Sequence, residues 1–412
     1  MADAHPNIKR NIQYKALHAC YWMLYGMATQ FATVFLLSHG FRAYMIGILM
    51  AVSNLIAAGG QMFVGTLADR YPRLTWKNIC LFVCGLEALC LAGLFIFSRS
   101  MIMNGGLYPV FLILVFTQMP LINAAVFYYE SRGEHVDFGS ARGTGSLAYA
   151  IMSFALGHII VRYGEQSIIT AGIILTAALF MVVFVMPCSA GIANVTSEDE
   201  SSGTSDPSGG EPAGSFIAFT RKYPWFMLSL LAVCMMLAFN AISHTYMIQL
   251  IESLGGDSAD MGSVFSIETL AELPVMFGFF YILKKFRINT LMVISGFGFV
   301  LKALCFVLAG SVTMLYVLQI FQIISYAMLA SASVYYSNEQ VEAVDSVKGQ
   351  GYMTAAMSIG SMAGNLTGGF VYDFAGLRAL LFYCLALVSV GAVIMLLSIL
   401  KSDQKRISNS EN

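Results

Sequence analysis

Ser197-Glu198-Asp199-Glu200-Ser201-Ser202-Gly203, continuing to Pro212, is the acidic, Gly/Ser/Pro-rich centre of residues 189–222. A stretch so poor in apolar side chains buries too little surface to offset its ordering entropy, and is expected to be disordered. The sequence on either side has the opposite character. Six apolar stretches, each near the roughly 20 residues that cross a bilayer core, precede it at about 16–38, 43–66, 77–98, 107–131, 140–162 and 166–188. Six more follow at about 224–249, 259–283, 289–309, 312–336, 349–372 and 377–400. The expected architecture is an all-α membrane protein with 12 transmembrane helices in two six-helix bundles. Residues 1–188 form the first bundle, 189–222 a disordered cytoplasmic linker, and 223–412 the second bundle.

Composition agrees. Of 412 residues, 58% are hydrophobic and 11% charged, against about 25% charged in soluble proteins. A net charge of −1 gives no basic surface for nucleic acid. The eight cysteines lie in or beside apolar runs without metal-ligand spacing, so neither a metal nor another cofactor is expected. Cys80 and Cys84 share one helix face but read as small core residues. No nucleophile–base pair stands out, which argues against an enzyme. Residues 1–15 are polar and precede an apolar stretch too long for a signal core, so no cleavage is expected.

Orientation follows from Lys and Arg. With both termini cytoplasmic, the inner loops and tails hold seventeen of these residues, among them Lys9, Arg10, Arg70, Arg132 and Lys284. The outer loops hold four: Arg42, Arg99, Arg162 and Arg378. The expected setting is the cytoplasmic membrane, crossed many times by a monomer. The halves also repeat. Tyr129 precedes Arg142-Gly143-Thr144-Gly145 by thirteen residues, and Tyr336 precedes Lys348-Gly349-Gln350-Gly351 by twelve. A six-plus-six repeat puts a substrate path between the halves, near the midplane.

Gly65-Thr66-Leu67-Ala68-Asp69-Arg70, between the second and third stretches, resembles the loop signature of the major facilitator superfamily. The resemblance implies that Gly65 lets helices approach while Asp69 and Arg70 make cytoplasmic contacts favouring one conformation. The usual basic tail is altered to Tyr71-Pro72-Arg73, and the matching loop from Gly278 to Lys284-Lys285 is degenerate. Asp137-Phe138-Gly139-Ser140-Ala141-Arg142-Gly143-Thr144-Gly145-Ser146 is similar to the start of the fifth helix in the lactose-permease-like branch. That branch includes sugar, nucleoside and 3-phenylpropionate symporters. Glu272-Leu273-Pro274-Val275-Met276-Phe277 and Val347-Lys348-Gly349-Gln350 resemble its 3-phenylpropionate-transporter-like members. The function this implies is secondary active transport by alternating access, as proton-coupled symport of a sugar, nucleoside or aromatic acid. A proton-antiport exporter and a non-transporting membrane receptor are the alternatives. One departure matters. Lactose permease couples protons through a His and a Glu on its tenth helix, where this chain has Gln319, Gln322 and Ser325. The coupling carboxylate is therefore expected elsewhere. A melibiose-type sodium site is disfavoured, because the second stretch has Asn54 and Gln61 but no central Asp.

An ionisable group at mid-bilayer costs about 2.5–3.5 kcal/mol on insertion scales and faces a cavity or a partner by default. Glu268 and Glu272 are four apart, on one helix face. Two carboxylates that close disfavour double ionisation, as a reversible proton carrier requires. Pro274 follows, freeing a backbone carbonyl beside them. Lys302 in the ninth stretch needs a counter-ion, with Glu272 or Glu268 the natural partners, unless it snorkels to an interface. These three are the proton-coupling candidates. Arg142 is either a substrate ligand, its planar fork matching a carboxylate or paired hydroxyls, or an anchor paired with Glu130 or Asp137. Glu87 reads as a packing acid. Gln30, Asn123, Asn240, His244, Gln319, Gln322 and Asn338 are candidate lining amides and imidazole, with Tyr25, Tyr128, Tyr129, Tyr335 and Tyr336 beside them. Of these, Asn123, Asn240, His244, Gln322, Gln30 and Tyr25 join Arg142 as substrate-binding candidates. His18 and His158 are expected to be packed, and Gly360, Gly364, Gly368 and Gly369 to permit close helix contact.

Overall fold

A computed structural model describes residues 8–70, 75–130, 134, 136–187 and 213–410, with the side chains of 65–70, 127, 128, 130, 213–215 and 405–410 outside the description. Every regular element among them is helical. In order these are α1 (Ile8–Gln30), α2 (Ala32–Ser38), α3 (Ala43–Arg70), α4 (Trp76–Ile96), α5 (Met101–Glu130), α6 (Phe138–Tyr163) and α7 (Gln166–Val185). After the gap come α8 (Ala213–Lys222), α9 (Pro224–Thr245), α10 (Met247–Ser253), α11 (Ser258–Leu283), α12 (Ile288–Leu308), α13 (Val312–Leu318), α14 (Met328–Gln340) and α15 (Ser346–Ser410).

Ten described helical segments are long and apolar enough to cross a membrane, with α13 to α14 counting as one. The pair α1 and α2, bent by 43° at Phe31, adds another crossing. Gly376 breaks the last helix into two, because its φ of 81° lies in the left-handed region that a side chain disfavours. The described residues therefore hold twelve crossings, those of an all-α membrane protein. Large apolar side chains such as Phe82, Ile96 and Phe374 are exposed on the outer faces, as a hydrocarbon environment demands.

Three crossings are interrupted, and two of the interruptions correspond. The first breaks between α1 and α2 and the seventh between α9 and α10, at Tyr246. The tenth departs from the regular helix expected over 312–336. It tightens to a 3-10 turn at Gln319–Gln322 and widens to a π turn at Ile323–Ala327. No Pro or Gly lies in these turns; tertiary contacts hold them. Ser295 of α12 donates to the carbonyl of Ser325 at 3.0 Å. Gly298 sits so close that a Cβ there would fall 2.5 Å from the carbonyl oxygen of Ile324. The expected glycine stripe does pack closely: a Cβ at Gly360 or Gly364 would meet α9 backbone oxygens at 2.3 and 2.2 Å.

Within the first group α1 packs on α6 and α7, α3 on α5, and α4 on α5 and α7; in the second, α9 and α12 pack on α15. The groups meet along α6 with α11 and along α3 with α15. The linker needs one correction. Its last ten residues are helical as α8, because Phe219 is buried against Tyr352 and Tyr223 and Lys222 bonds Glu342 and Asp345. Residues 188–212 lie outside the described residues.

Candidate functional site

A cavity of about 390 Å³ lies between the two groups. The first group supplies α1 (Trp22, Tyr25, Gln30), α3 (Asn54) and α6 (Arg142, Ser146, Tyr149). The second supplies α9 (Asn240, His244), α11 (Glu268, Glu272), the π turn (Tyr326) and α15 (Asn365). A second void of about 330 Å³ shares Tyr25, Asn54 and Tyr326 and continues to Gln61 and Met357, toward the end of the bundle where α3 finishes and α15 starts.

The opposite end is sealed. Thr33 donates to the carbonyl of Thr245 at 2.6 Å, and the Tyr44 backbone N–H donates to Asp373 at 2.8 Å. Arg42 lies 3.8 Å from the same carboxylate. A Cβ at Gly47 would fall 2.3 Å from the carbonyl oxygen of Asn365, and one at Gly369 2.6 Å from that of Ala43. These contacts leave no passage for a solute between α3 and α15 at that end.

Arg142 stands in the second turn of α6, whose N-terminus Asp137 caps through the Ser140 N–H at 3.1 Å. Asp137 is thus occupied elsewhere. Arg142 Nη1 donates to Ser146 Oγ, four residues on, at 2.6 Å, and the guanidinium lies 3.8 Å from the Trp22 ring centroid. No carboxylate pairs with it among the described residues. Trp22 continues into an aromatic row, with Tyr25 at 5.1 Å and Phe116 at 5.5 Å from Tyr25.

Across the cavity a chain of polar contacts runs inward. Lys302 Nζ donates to Glu268 Oε1 at 2.8 Å and to Gln322 Oε1 at 2.6 Å. Gln322 Nε2 then donates to Glu272 Oε1 at 2.8 Å. Its amide therefore reports the lysine on one side to the acid on the other. His244 Nε2 approaches Glu268 Oε1 at 3.3 Å. The Lys302 side chain is only 1% exposed, so it does not snorkel. Its charge needs Glu268, because one buried partner without the other is strongly destabilising. Glu272 has no cation partner among the described residues and lines the cavity directly. Helix α11 runs on through Pro274.

Not every sequence candidate reaches the cavity. Tyr25, Gln30, Arg142, Asn240, His244, Glu268 and Glu272 line it, while Lys302 and Gln322 sit behind the wall. Asn123 is half-buried on α5 and outside the lining. Gln319 bonds the Leu315 carbonyl, and Asn338 accepts from Ser346. Tyr129 packs against Tyr14, Tyr336 against Phe226, and Tyr335 against Phe279, all away from the cavity. His18 is packed against Tyr14, but His158 is exposed on the outer face of α6, its Nδ1 beside the Phe154 carbonyl. Glu87 is wholly buried beside Cys84 and Gln118 in the first group. The side chains of Gly65, Asp69, Arg70 and Tyr128 lie outside the described residues. Trp22, Tyr149, Ser146, Tyr326 and Asn365 are cavity residues that sequence reading missed. Ser146 and Tyr149 were findable, four and seven residues from Arg142 on the same helical face; Tyr326 depends on the π turn.

Residues 12–384 match the MFS_1 like family. No curated protein sequence matches the chain. Among solved structures, the nucleoside transporter NupG superposes with a TM-score of 0.77 at 16% identity, covering 94% of this chain and 98% of that one. A mutant POT peptide transporter in complex with alafosfalin gives 0.67 at 12%, covering 98% and 96%. A bacterial homolog of the human lysosomal transporter Spinster, inward-facing and unoccupied, gives 0.62 at 14%, covering 96% and 98%. At such identities the likeness is one of fold. The family match is stronger in kind, and since it runs over nearly the whole sequence, this chain belongs to the MFS_1 like family of membrane transporters.

Proposed function

We propose that this protein is a proton-coupled secondary transporter of a small organic solute, working by alternating access in the cell membrane with both termini in the cytoplasm. One observation carries the reading: Glu272, an acid free of any cation partner among the described residues, forms part of the wall of a cavity between two helix groups. A group so placed can exchange a proton with whichever side the cavity faces. The solute occupies the same space, so its binding and the protonation state of Glu272 influence each other.

In this orientation, supported by the seventeen-to-four distribution of basic residues, the sealed end is outside and the void toward Gln61 and Met357 opens inward. Residues 1–188 and 223–412 act as halves that rock about the cavity, with the α6–α11 and α3–α15 contacts as the surfaces that separate. Arg142, Gln30, Asn240, His244 and Tyr25 hold the solute; Glu272 carries the proton, supported by Gln322, Lys302 and Glu268. The similar structures named as nucleoside and peptide transporters are compatible with a polar solute of this size.

The test is uptake into proteoliposomes under an imposed pH gradient. Glu272→Gln is expected to abolish gradient-driven accumulation while sparing exchange of solute across the membrane without a gradient. Undiminished accumulation in the variant removes the coupling assignment. Solute movement against the inward proton flow makes the protein an exporter instead.

A further inference from the structure

Among the described residues, four charged side chains stand on or just behind the cavity wall: Arg142 on α6, Glu268 and Glu272 on α11, and Lys302 on α12. Two cancel. Lys302 and Glu268 touch at 2.8 Å and are both buried, forming a neutral pair. His244 on α9, the remaining titratable group of the cavity lining apart from the tyrosines, faces this pair at Glu268. The tyrosines around Glu272 and Arg142 (Tyr25, Tyr149 and Tyr326) are neutral at physiological pH.

That leaves Arg142 and Glu272, contributed by opposite helix groups and facing one cavity. Among the described residues neither has a charged partner of its own: Arg142 touches Ser146 and Trp22, Glu272 the amide of Gln322. A closed, low-dielectric cavity disfavours net charge. With Glu272 ionised, the two residues sum to zero. With Glu272 protonated, one positive charge is left without compensation.

Building on the proton-coupled reading above, we propose that the transported solute is an organic monoanion whose carboxylate binds Arg142, and that it is occluded only together with a proton on Glu272. The empty and the fully loaded cavities then carry the same charge. Each half-loaded cavity differs from them by one unit and is costly to close, so proton and anion move together. Arg142 suits the task. Its Nη1 is engaged by Ser146 and one face by Trp22, leaving Nε and Nη2, the edge that grips a carboxylate with two parallel hydrogen bonds. The row Trp22, Tyr25 and Phe116 offers flat apolar surface to the body of the anion.

The experiment uses purified full-length protein titrated with benzoate and gluconate, their uncharged amides benzamide and gluconamide, and the neutral solutes glucose and uridine. Thermal stabilisation reports binding; a pH indicator in weak buffer reports proton uptake. At least one carboxylate is expected to bind, its amide not to bind, and binding to take up about one proton and weaken about tenfold per pH unit once Glu272 is ionised in the free protein. Arg142→Gln should weaken binding by about 30-fold or more, while Arg142→Lys, which keeps the charge, retains part of it. Glu272→Gln should bind the anion without proton uptake. The proposal is overturned if no carboxylate binds, if glucose, uridine or an amide binds in preference, if Arg142→Gln binds unchanged, or if proton uptake survives in Glu272→Gln. Proton-driven uptake of a neutral solute into proteoliposomes overturns the anion and keeps the transporter. Anion binding with proton uptake but no flux does the reverse.

Discussion

At Lys302 the chain has placed an ammonium group where water does not reach it, and its neighbours explain why it can stay. Glu268 balances the charge and Gln322 takes up a further N–H, so the charge and at least two of its donors are met. Removing one member of such a pair costs about 3–5 kcal/mol, whereas removing both together is often close to neutral. Lys302→Met is accordingly expected to lower the melting temperature of the purified protein sharply, and Lys302→Met with Glu268→Gln to recover most of the loss. A double variant no more stable than the single one would show that the pair is not coupled. The rare membrane charges were legible in the sequence because each demands a partner or a cavity. Their division of labour was not. Spacing alone put Glu268 and Glu272 on one face, and only the fold shows that the lysine chose Glu268 and left Glu272 to the cavity. Asn123 misled for a related reason: an amide in an apolar helix is polar whichever way the helix is turned.

Helices reveal their length in sequence more readily than their irregularities. The apolar stretches emerged as crossings, but the 3-10 and π turns at Gln319–Ala327 are imposed by α12 through Ser295 and Gly298, residues some thirty positions away. A π turn of this kind commonly marks a functional site, and here it brings Tyr326 to the cavity and Gln322 to Glu272. The opposite error occurred at α8, where polar composition suggested disorder up to residue 222. Two aromatic residues three apart, Phe216 and Phe219, pack one short helix against Tyr352. Lys222 fixes its end, and contacts with Tyr223, Asp345 and Glu342 hold the lysine above its ordinary value. A raised folded value means the stabilisation is complete below the ordinary lysine range and is lost only as pH climbs through the folded value. Hydrogen exchange in 213–222 corrected for intrinsic rate should therefore show constant protection between pH 6 and 9, and Lys222→Gln should reduce it throughout. Equal protection in the variant would assign the docking to the aromatic residues alone.

Twelve crossings and a central cavity could be anticipated from apolar length and the internal repeat, but not which end of the bundle is shut. That depends on small residues opposed across the halves, which sequence presents only as unrelated glycines. Gly47 and Gly369 let α3 and α15 meet backbone to backbone, and Asp373 of one half caps the first turn of α3 in the other through Tyr44. A carboxylate at a helix N-terminus is favourable, and this one exists only while the end is closed. Gly369→Val places a methyl-bearing carbon where 2.6 Å separates it from the Ala43 carbonyl oxygen, nearer than carbon and oxygen approach. The side chain cannot yield into space, because Tyr44 and the Tyr246 hydroxyl stand on the same side. The two halves must then part at this end, and rocking about the cavity narrows the other. The variant is expected to fold, to lose net transport, and to expose a cysteine placed at Thr33 to a membrane-impermeant maleimide from outside. In the parent background the same cysteine should react slowly, since Thr33 is 2% exposed and bonded to Thr245. Unchanged labelling with transport intact would mean that closure here does not depend on backbone contact between α3 and α15, and that the seal is made by side chains able to repack.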